Sequence, residues 1–412
     1  MCIRDRPPAG ELPASPEAQA VAEIKLDLAI LKYARFARGG RLNPPEVSAL
    51  FDQAPPLRDP KAVLPEIATA SAPDAYLQSL HPKHQQFERL RQALLKARDD
   101  AGTGGKPTRN ELEIERILVN MERWRWMPED LGALYVWNNV PEFMLYVVKD
   151  GKTIHMDKTL VGKLAYATPI FSANMQTIVF NPEWTVPETI VRENLLPNLR
   201  HGGWFGGSTS ILNEHGLQVN YNGRVVDPGS IDWNNVNMAK VSFTQAPGPT
   251  NVLGKLKFLF PNKHVVYMHD TIKRELFNQS MRAEGHNCIR VANPDQLAAL
   301  LLAEDKGWSS TQVQDLLDKG NNAPVTLDHP VPVYMTYFTA MVDEKGKVTT
   351  FADIYGLDKK VSTALLGKSV SFPAPTPSSD EQASGAPVTT AVPAKRTSRS
   401  NDVAGSLGFS GD

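Results

Sequence analysis

A histidine and a cysteine nineteen positions apart are the residues of this chain best suited to covalent chemistry. His269 ends the segment HVVYMH, and Cys288 lies in HNCIRV. The alternation of side chains predicts a short strand in each segment, with Tyr267 and His269 on one face. Two neighbouring strands would bring His269 beside Cys288, with Arg290 one pleat further along. A thiol, an imidazole and a guanidinium on one face suit a cysteine nucleophile that acts on an anionic acyl substrate.

The same residues allow two other interpretations. An unpaired cysteine is commonly a small buried hydrophobic side chain, and the spacing alone leaves burial and catalysis both open. The polar neighbours of Cys288, and the ability of an imidazole to take a thiol proton, favour catalysis. A zinc site would draw on His264, His269, His286 and Cys288, with three ligands at most because His264 and His269 point to opposite faces. No CxxC or HExxH pattern supports zinc.

Composition limits the class of protein. The 412 residues carry a formal net charge of −1, so charge gives no indication of nucleic-acid binding. The longest clear apolar run, LAALLLA at 297–303, predicts a core helix and no transmembrane segment. With only Cys2 and Cys288, the chain has no disulfide framework. The opening residues lack an apolar signal segment, so either the protein is cytoplasmic or its true N-terminus has been lost.

The elements around the two segments are predicted to form a helical part followed by a β-rich part. Apolar residues at helical spacing predict helices near 22–37 and 83–96, and a capping box at Asn110 begins a third. From about residue 134 the periodicity becomes that of strands, with a hairpin turn at Asp150–Gly151. Residues 198–240 are rich in glycine and asparagine and predict a lid over the site.

These patterns divide the chain into four parts. The two ends are predicted to be disordered, because segments of their composition bury too little apolar surface to fold. The stretch DDAGTGGKPTR at 99–109 is predicted to be a flexible junction. The parts are residues 1–20, a disordered segment; 21–109, a helical region with its linker; 110–368, the part that carries the chemistry; and 369–412, a disordered tail.

The segment GHNCIRV, with His269 upstream of it, resembles the catalytic signature of the YkuD-type L,D-transpeptidases. The order of further segments is similar to that of the large YcbB-like branch of this family from Gram-negative bacteria. The resemblance covers about residues 22–365 and implies an α+β chain, in which a helical scaffold region precedes a β-rich YkuD-type sandwich with a lid insertion. The supporting segments are NMERWRWMP (120–128), VPEFMLYVV (140–148), VGKLAYATPIF (161–171), NPEWTVPETI (181–190), QAPGPTNVLGKLKFLFPNKHVVYMHDT (245–271) and HPVPVYMTYFTA (329–340).

The resemblance implies a periplasmic cysteine enzyme that acts on peptidoglycan stem peptides without a cofactor or a metal. The expected reaction forms a 3→3 cross-link between a donor tetrapeptide and an acceptor amine. By position, Cys288 matches the nucleophile and His269 matches the general base. The remaining matches are Gly285, His286 and Asn287 in the turn whose backbone amides would form the oxyanion hole, Arg290 near the substrate carboxylate, and Tyr267 lining the groove.

Several features depart from the family pattern. Glu284–Gly285 stands where Ser or Thr usually precedes the histidine, and Asn287 replaces the usual Gly. Asn is among the few non-glycine residues that tolerate the positive φ of a tight turn. The junction at 99–109 stands in place of the branch's helical peptidoglycan-binding module. An L,D-carboxypeptidase and a non-catalytic peptidoglycan-binding scaffold are the alternative functions, and the retained pair of Cys288 and His269 argues against the second.

Overall fold

The computed structural model describes residues 15–100, 109–201, 209–367 and Phe372. The chain divides into two compact units. Of the described residues, the first unit comprises 15–100, 109–130, 338–351, 356–367 and Phe372, and the second comprises 131–201, 209–337 and 352–355. Apart from Phe372, the predicted tail lies outside the described residues, as do residues 1–14 and most of the predicted junction at 99–109.

Helices predominate up to Trp124, and strands predominate after it. In chain order, the α-helices are α1 (Pro16–Gly39), α2 (Pro44–Val47), α3 (Pro60–Thr69), α4 (Pro73–Ser79), α5 (Gln85–Asp100), α6 (Arg109–Trp124), α7 (Glu188–Ile190), α8 (Leu196–His201), α9 (Ser210–Glu214), α10 (Pro294–Lys306), α11 (Ser310–Asp318) and α12 (Leu357–Leu366). The strands are β1 (Phe51–Asp52), β2 (Leu134–Asn139), β3 (Met144–Lys149), β4 (Lys152–Gly162), β5 (Ile170–Phe180), β6 (Trp184–Thr185), β7 (Leu217–Tyr221), β8 (Arg224–Val226), β9 (Val241–Gln245), β10 (Leu256–Leu259), β11 (Met268–His269), β12 (Ala283–Gly285), β13 (Ile289–Val291), β14 (Ala323–Thr336), β15 (Ala340–Val342) and β16 (Val348–Thr350).

The first unit is helical, and its first helix begins earlier than predicted. Ser15 caps α1 by accepting a hydrogen bond from the backbone of Ala18 at 3.2 Å, and Pro16 occupies the first turn. Residues 16–20, predicted to be disordered, are therefore helical. The first half of α1 remains exposed, whereas Ala34 and Ala37 near its end are buried.

The helix α6 belongs to the first unit, although the sequence predicted it to begin the β-rich part. The reason is that α6 makes polar contacts with residues of this unit that come much later in the chain. The Asn120 side chain bonds the backbone and hydroxyl of Thr339 at 2.9 and 3.0 Å. Arg123 forms an ion pair with Asp358 of α12 at 2.5 Å, and both side chains are almost fully buried.

The second unit is built on one continuous sheet. Its strands run in the order β5-β10-β11-β13-β4-β3-β2-β14, and β14 also pairs with β5, so the sheet closes on itself. The short strand β12 pairs with the end of β4. The predicted α+β architecture, a helical part followed by a β-rich part, is confirmed, and this sheet is the main sheet of the β-rich part.

Residues 184–245, which we call the insertion, form a second, smaller sheet in the order β6-β9-β7-β8. Trp184, Trp233 and Phe243 lie in its own apolar core, and Tyr267 of the main sheet packs against that core. The predicted lid at 198–240 falls within the insertion, and residues 202–208 of it lie outside the described residues. Within the described part of the chain, no helix is both long enough and apolar enough to cross a membrane.

Candidate active site

The strand β11 places His269 between two cationic side chains. His269 lies opposite Lys257 of the antiparallel neighbour β10 and opposite Arg290 of the parallel neighbour β13. Residues directly opposite one another share a face of the sheet. The predicted pairing of the two strands is therefore confirmed, but the predicted register is wrong. Arg290, and not Cys288, lies directly opposite His269, because the amide of Ile289 pairs with the carbonyl of Tyr267. Both His269 and Arg290 are almost completely buried.

The hydrogen bonds of His269 show which of its ring nitrogens is available to accept a proton. Its Nδ1 lies 2.5 Å from the backbone carbonyl of Asp270, and since a carbonyl only accepts, Nδ1 carries the proton. Nε2 then has the lone pair, and it is buried without a hydrogen-bond partner among the described residues. Burial lowers the pKa of His269 well below its usual value, and Arg290 and Lys257 lower it further, against the opposing bond to Asp270. The imidazole is neutral and able to accept a proton.

The carbonyl that orients His269 is itself held by the side chain of Asp270. That carboxylate accepts hydrogen bonds from the backbone amides of Lys255 at 2.9 Å and Thr271 at 2.6 Å, and from Arg274 at 2.6 Å. Gly254 has a φ of +61°, and a Cβ there would come within 2.3 Å of the Asp270 carboxylate. Glycine at 254, which has no side chain, therefore lets the Asp270 carboxylate lie close to the backbone and accept these hydrogen bonds.

Hydrogen bonds from the residues on both sides of Cys288 hold it against the segment that contains His269. The Asn287 side chain donates to the carbonyl of His264 at 3.4 Å, and the amide of Ile289 donates to the carbonyl of Tyr267 at 3.2 Å. Cys288 lies between them and is buried. The Tyr267 ring lies 5.6 Å from the His269 ring, and the bond from Ile289 holds the Cys288 segment beside Tyr267.

The predicted strand 264–269 is wrong in its first half, where the chain forms a turn. The Asn262 side chain accepts hydrogen bonds from the amides of His264 at 3.0 Å and Val266 at 3.1 Å. Val265 has a φ of +57°, which is strained for a β-branched residue and which this turn imposes. Asn287, in contrast, does not have a positive φ. It contributes its side-chain amide to the site segment and does not serve as a left-handed turn residue.

The turn 285–287 is clamped to the end of β4. The amide of Lys163 donates to the carbonyl of Gly285 at 2.7 Å, and the His286 ring stacks on Tyr166 with centroids 4.0 Å apart. At Gly162 a Cβ would lie 2.0 Å from the carbonyl oxygen of Tyr166 and 2.4 Å from that of His286. Burial, followed by Lys163 and Arg290, lowers the pKa of His286 to about 4, so this ring is neutral as well.

Arg290 and His264 lie in environments that differ from those expected for their predicted roles. Arg290, predicted to lie near a substrate carboxylate, is only 1% exposed, and its charge acts on His269. The His264 ring packs against Phe171 with centroids 5.1 Å apart, away from any set of ligands. Among the residues the structure describes, no group of three His, Cys, Asp or Glu side chains could hold a metal ion.

Three residues of the site were not identified from the sequence: Lys257, Asp270 and Tyr166. The alternation in LKFLF does place Lys257 on the face opposite its buried neighbours, but its position across from His269 depends on strand pairing. Asp270 follows His269 directly in the sequence, and this adjacency is the one signal that could have identified it. Nothing in the sequence indicates that Tyr166 stacks on His286.

Comparisons with known proteins find family matches in both parts of the chain. Residues 133–326 match the model of the YkuD L,D-transpeptidase catalytic domain, and residues 5–94 match a Scaffold domain. The second unit carries a YkuD-type L,D-transpeptidase catalytic domain. A Haemophilus influenzae protein with the provisional name L,D-transpeptidase is 35% identical over 265 residues, which are 63% of this chain and 52% of that protein. The chain thus spans about half the length of this relative.

Solved L,D-transpeptidases are also found, at low similarity. One from Mycobacterium smegmatis is 10% identical with a TM-score of 0.23, over 50% of this chain and 58% of that chain. One from Stackebrandtia nassauensis is 11% identical with a TM-score of 0.21, over 61% of this chain and 90% of that chain. Superpositions of this quality support no conclusion, so the assignment of the L,D-transpeptidase domain depends on the family model and the Haemophilus protein.

Proposed function

We propose that this protein is a periplasmic L,D-transpeptidase that joins peptidoglycan stem peptides by 3→3 cross-links. One observation carries the proposal. A buried, neutral imidazole, oriented by the Asp270 carbonyl and with an unoccupied Nε2, lies on the strand against which the Cys288 segment is hydrogen-bonded. A base of this kind beside a thiol is what cysteine acyl transfer requires.

In the proposed reaction the Cys288 sulfur attacks the carbonyl that joins the third stem residue, diaminopimelate, to the terminal D-Ala. His269 takes the thiol proton at Nε2 and returns it to the nitrogen of D-Ala as the C–N bond breaks. A thioester remains on Cys288. The side-chain amine of a second stem then attacks this thioester, its proton passes to His269, and the thiolate is released.

The turn 285–287 supplies the other requirement, backbone amides near the developing oxyanion. Its clamp to β4 through Gly285 and the stacked ring of His286 would keep these amides in place during the reaction. Donors held in this way are worth about 3–4 kcal/mol each at the tetrahedral step.

Mass spectrometry of peptidoglycan fragments tests the proposal. Incubation of a disaccharide tetrapeptide with the protein should give dimers with the loss of one D-Ala for each cross-link. Trimmed monomers without dimers would indicate an L,D-carboxypeptidase, and unchanged tetrapeptide would indicate a non-catalytic scaffold. Cys288→Ala should abolish the reaction without lowering the melting temperature much, because little core volume is removed. Cys2→Ala is the matched control and should retain full activity.

The cellular location is a separate part of the proposal. Peptidoglycan stems are cross-linked outside the cytoplasmic membrane, so the proposed enzyme has to act in the periplasm. Fractionation of cells that express the native gene, followed by detection of the protein in the osmotic-shock fluid, tests this. Recovery in the cytoplasmic fraction alone would contradict it.

A further inference from the structure

Lys257 is a cation at the site with no role in the proposed reaction. It lies in β10 between Leu256 and Phe258, which are 1% and 0% exposed and point into the core. Lys257 itself is half-buried and points to the other face, opposite His269. Its Nζ sits over the Tyr267 ring, 4.0 Å from the centroid. The ammonium is thus held by an aromatic face next to the catalytic pair.

No carboxylate among the described residues forms an ion pair with Lys257. Burial lowers the pKa of its ammonium, and the opposing influence is the negative charge of the Cys288 thiolate. A partly desolvated cation without a counter-ion is unfavourable in the resting protein. The arrangement becomes favourable when an anion enters the site.

The neighbouring cations Arg290 and Lys255 differ from Lys257 in how far they are exposed to solvent. Arg290 is buried, with 1% of its surface exposed, and lies on the far side of His269. Lys255 is exposed to solvent and two residues away from Lys257 on the same chain segment. Lys257 alone among these three combines access to solvent, partial desolvation and an electrostatic effect on Cys288.

We propose that Lys257 binds a carboxylate of the acyl donor and so holds the substrate at Cys288. The identity of the donor as a stem peptide rests on the proposed function, whereas the anion site rests on the position of Lys257 over Tyr267 and opposite His269. Because Tyr267 also packs against the core of the insertion, its ring fixes the height of the ammonium above the sheet. The carboxylate role expected of Arg290 thus passes to Lys257.

Two alkylating reagents of nearly equal size measure the anion preference directly. In both iodoacetate and iodoacetamide the thiolate displaces iodide from a CH₂ group, but only iodoacetate carries a carboxylate. The ratio of their rate constants at one pH is independent of the thiolate fraction, because both reagents react with the same thiolate. The wild-type ratio should exceed that of N-acetylcysteine under the same conditions.

Substitution identifies Lys257 as the origin of the preference. Lys257→Met keeps the apolar stem and should lower the ratio of iodoacetate to iodoacetamide about fivefold, as expected for one partly screened charge. Lys257→Arg should preserve the ratio, and Lys255→Met, which removes an equal charge nearby, should leave it unchanged. An unaltered ratio in Lys257→Met, or an equal loss in Lys255→Met, overturns the proposal.

Two further measurements keep the test decisive. Should Lys257→Met fail to fold, the wild-type ratio at low and high salt replaces it, and a ratio that does not fall with salt counts against the proposal. With the tetrapeptide, Lys257→Met should raise KM about fivefold or more, with a smaller change in kcat. If the reagent ratio responds as expected but the wild-type protein does not consume the tetrapeptide, the anion site stands and the proposed function fails.

Discussion

The protonation state of His269 decides how the site works at the level of single residues. Its Nδ1 proton is committed to the Asp270 carbonyl, and two cations and burial disfavour a second proton. The resting site therefore has a neutral base and not a stable imidazolium. Proton transfer from Cys288 is then expected to accompany attack on the substrate, because an imidazolium between Lys257 and Arg290 would be repelled by both.

This view predicts how the pKa of His269 responds to its neighbours. In the native protein His269 should stay neutral down to a pH well below 6.5, measured by the chemical shift of its ring proton. Of the two neighbouring cations, Arg290 lowers the pKa of His269 more, so Arg290→Met should raise that pKa. Arg224→Met, an exposed cation of the insertion, should not change it. A titration near 6.5 in the wild type would contradict the neutral base.

The proposed catalytic pair is recognisable in the sequence, whereas its electrostatic environment is not. His269 and Cys288 stand out because thiol and imidazole chemistry is specific and the intervening distance matches a family signature. Lys257 acquires its role from cross-strand pairing twelve residues before His269, which no local pattern reveals. Arg290 was placed on the right strand face, but a one-dimensional pattern does not show that this face is enclosed.

At the scale of elements, the junction of β4 with β12 sets the position of the residues before Cys288. Gly162 is in contact with two backbone carbonyls that a methyl group would displace. Its own carbonyl accepts a hydrogen bond from the Tyr355 hydroxyl at 2.5 Å, so the strand end has little room to move aside. The turn that contains His286 has to shift if a larger residue stands at 162.

We therefore expect Gly162→Ala to impair both stability and the reactivity of Cys288. Overpacking of this kind costs about 1–3 kcal/mol, and the displaced turn should slow acylation of Cys288 at least about tenfold. Gly223→Ala is the control, because Gly223 has a φ of +76° but nothing within 4 Å of its Cβ position. That variant should lose stability without losing thiol reactivity. Equal effects of the two substitutions on acylation would argue against a site-specific role for Gly162.

In the first unit, a buried ion pair connects α6 with α12. Arg123 and Asp358 are 3% and 2% exposed, and Asp358 also accepts a bond from Thr339 at 2.7 Å. Asp358→Ala would leave the Arg123 charge buried, which costs about 3–5 kcal/mol. Chemical denaturation of this variant should show that loss. Glu344→Ala removes the partner of Arg89 at an exposed position, where the side chain is 88% accessible, and should have little effect.

Elements could be predicted where local patterns decide them. The helices near 22–37 and 83–96 follow from apolar spacing, and the hairpin follows from Asp150–Gly151. The turn at 262–266 was missed because the Asn262 side chain competes with strand pairing by bonding the backbone around it. The membership of α6 in the first unit was missed because it depends on Asn120 and Arg123 meeting residues more than 200 positions later.

At the scale of the whole molecule, both compact units contain neutral histidines that are partly or fully buried. In the first unit, burial and then Arg125 lower the pKa of His81 to about 4. In the second unit, His286 has a pKa of about 4, and that of His269 lies well below its usual value. In the unfolded chain each ring takes up its proton near pH 6.5. Below that pH the unfolded state binds more protons than the native state, so stability falls on acidification.

The loss of stability should extend from about pH 6.5 to about pH 4 and then level off for His81 and His286, whose rings are protonated in the native state below that point. The slope for each fully buried histidine is about 1.4 kcal/mol per pH unit, and partly exposed rings contribute less because solvent screens them. Urea denaturation at a series of pH values measures it. His81→Gln, which can still bond Tyr33, and His286→Gln should each reduce the slope. Because the two histidines lie in separate units, their effects should add in the double variant. A pH dependence that neither substitution changes would place the destabilising protons on other groups.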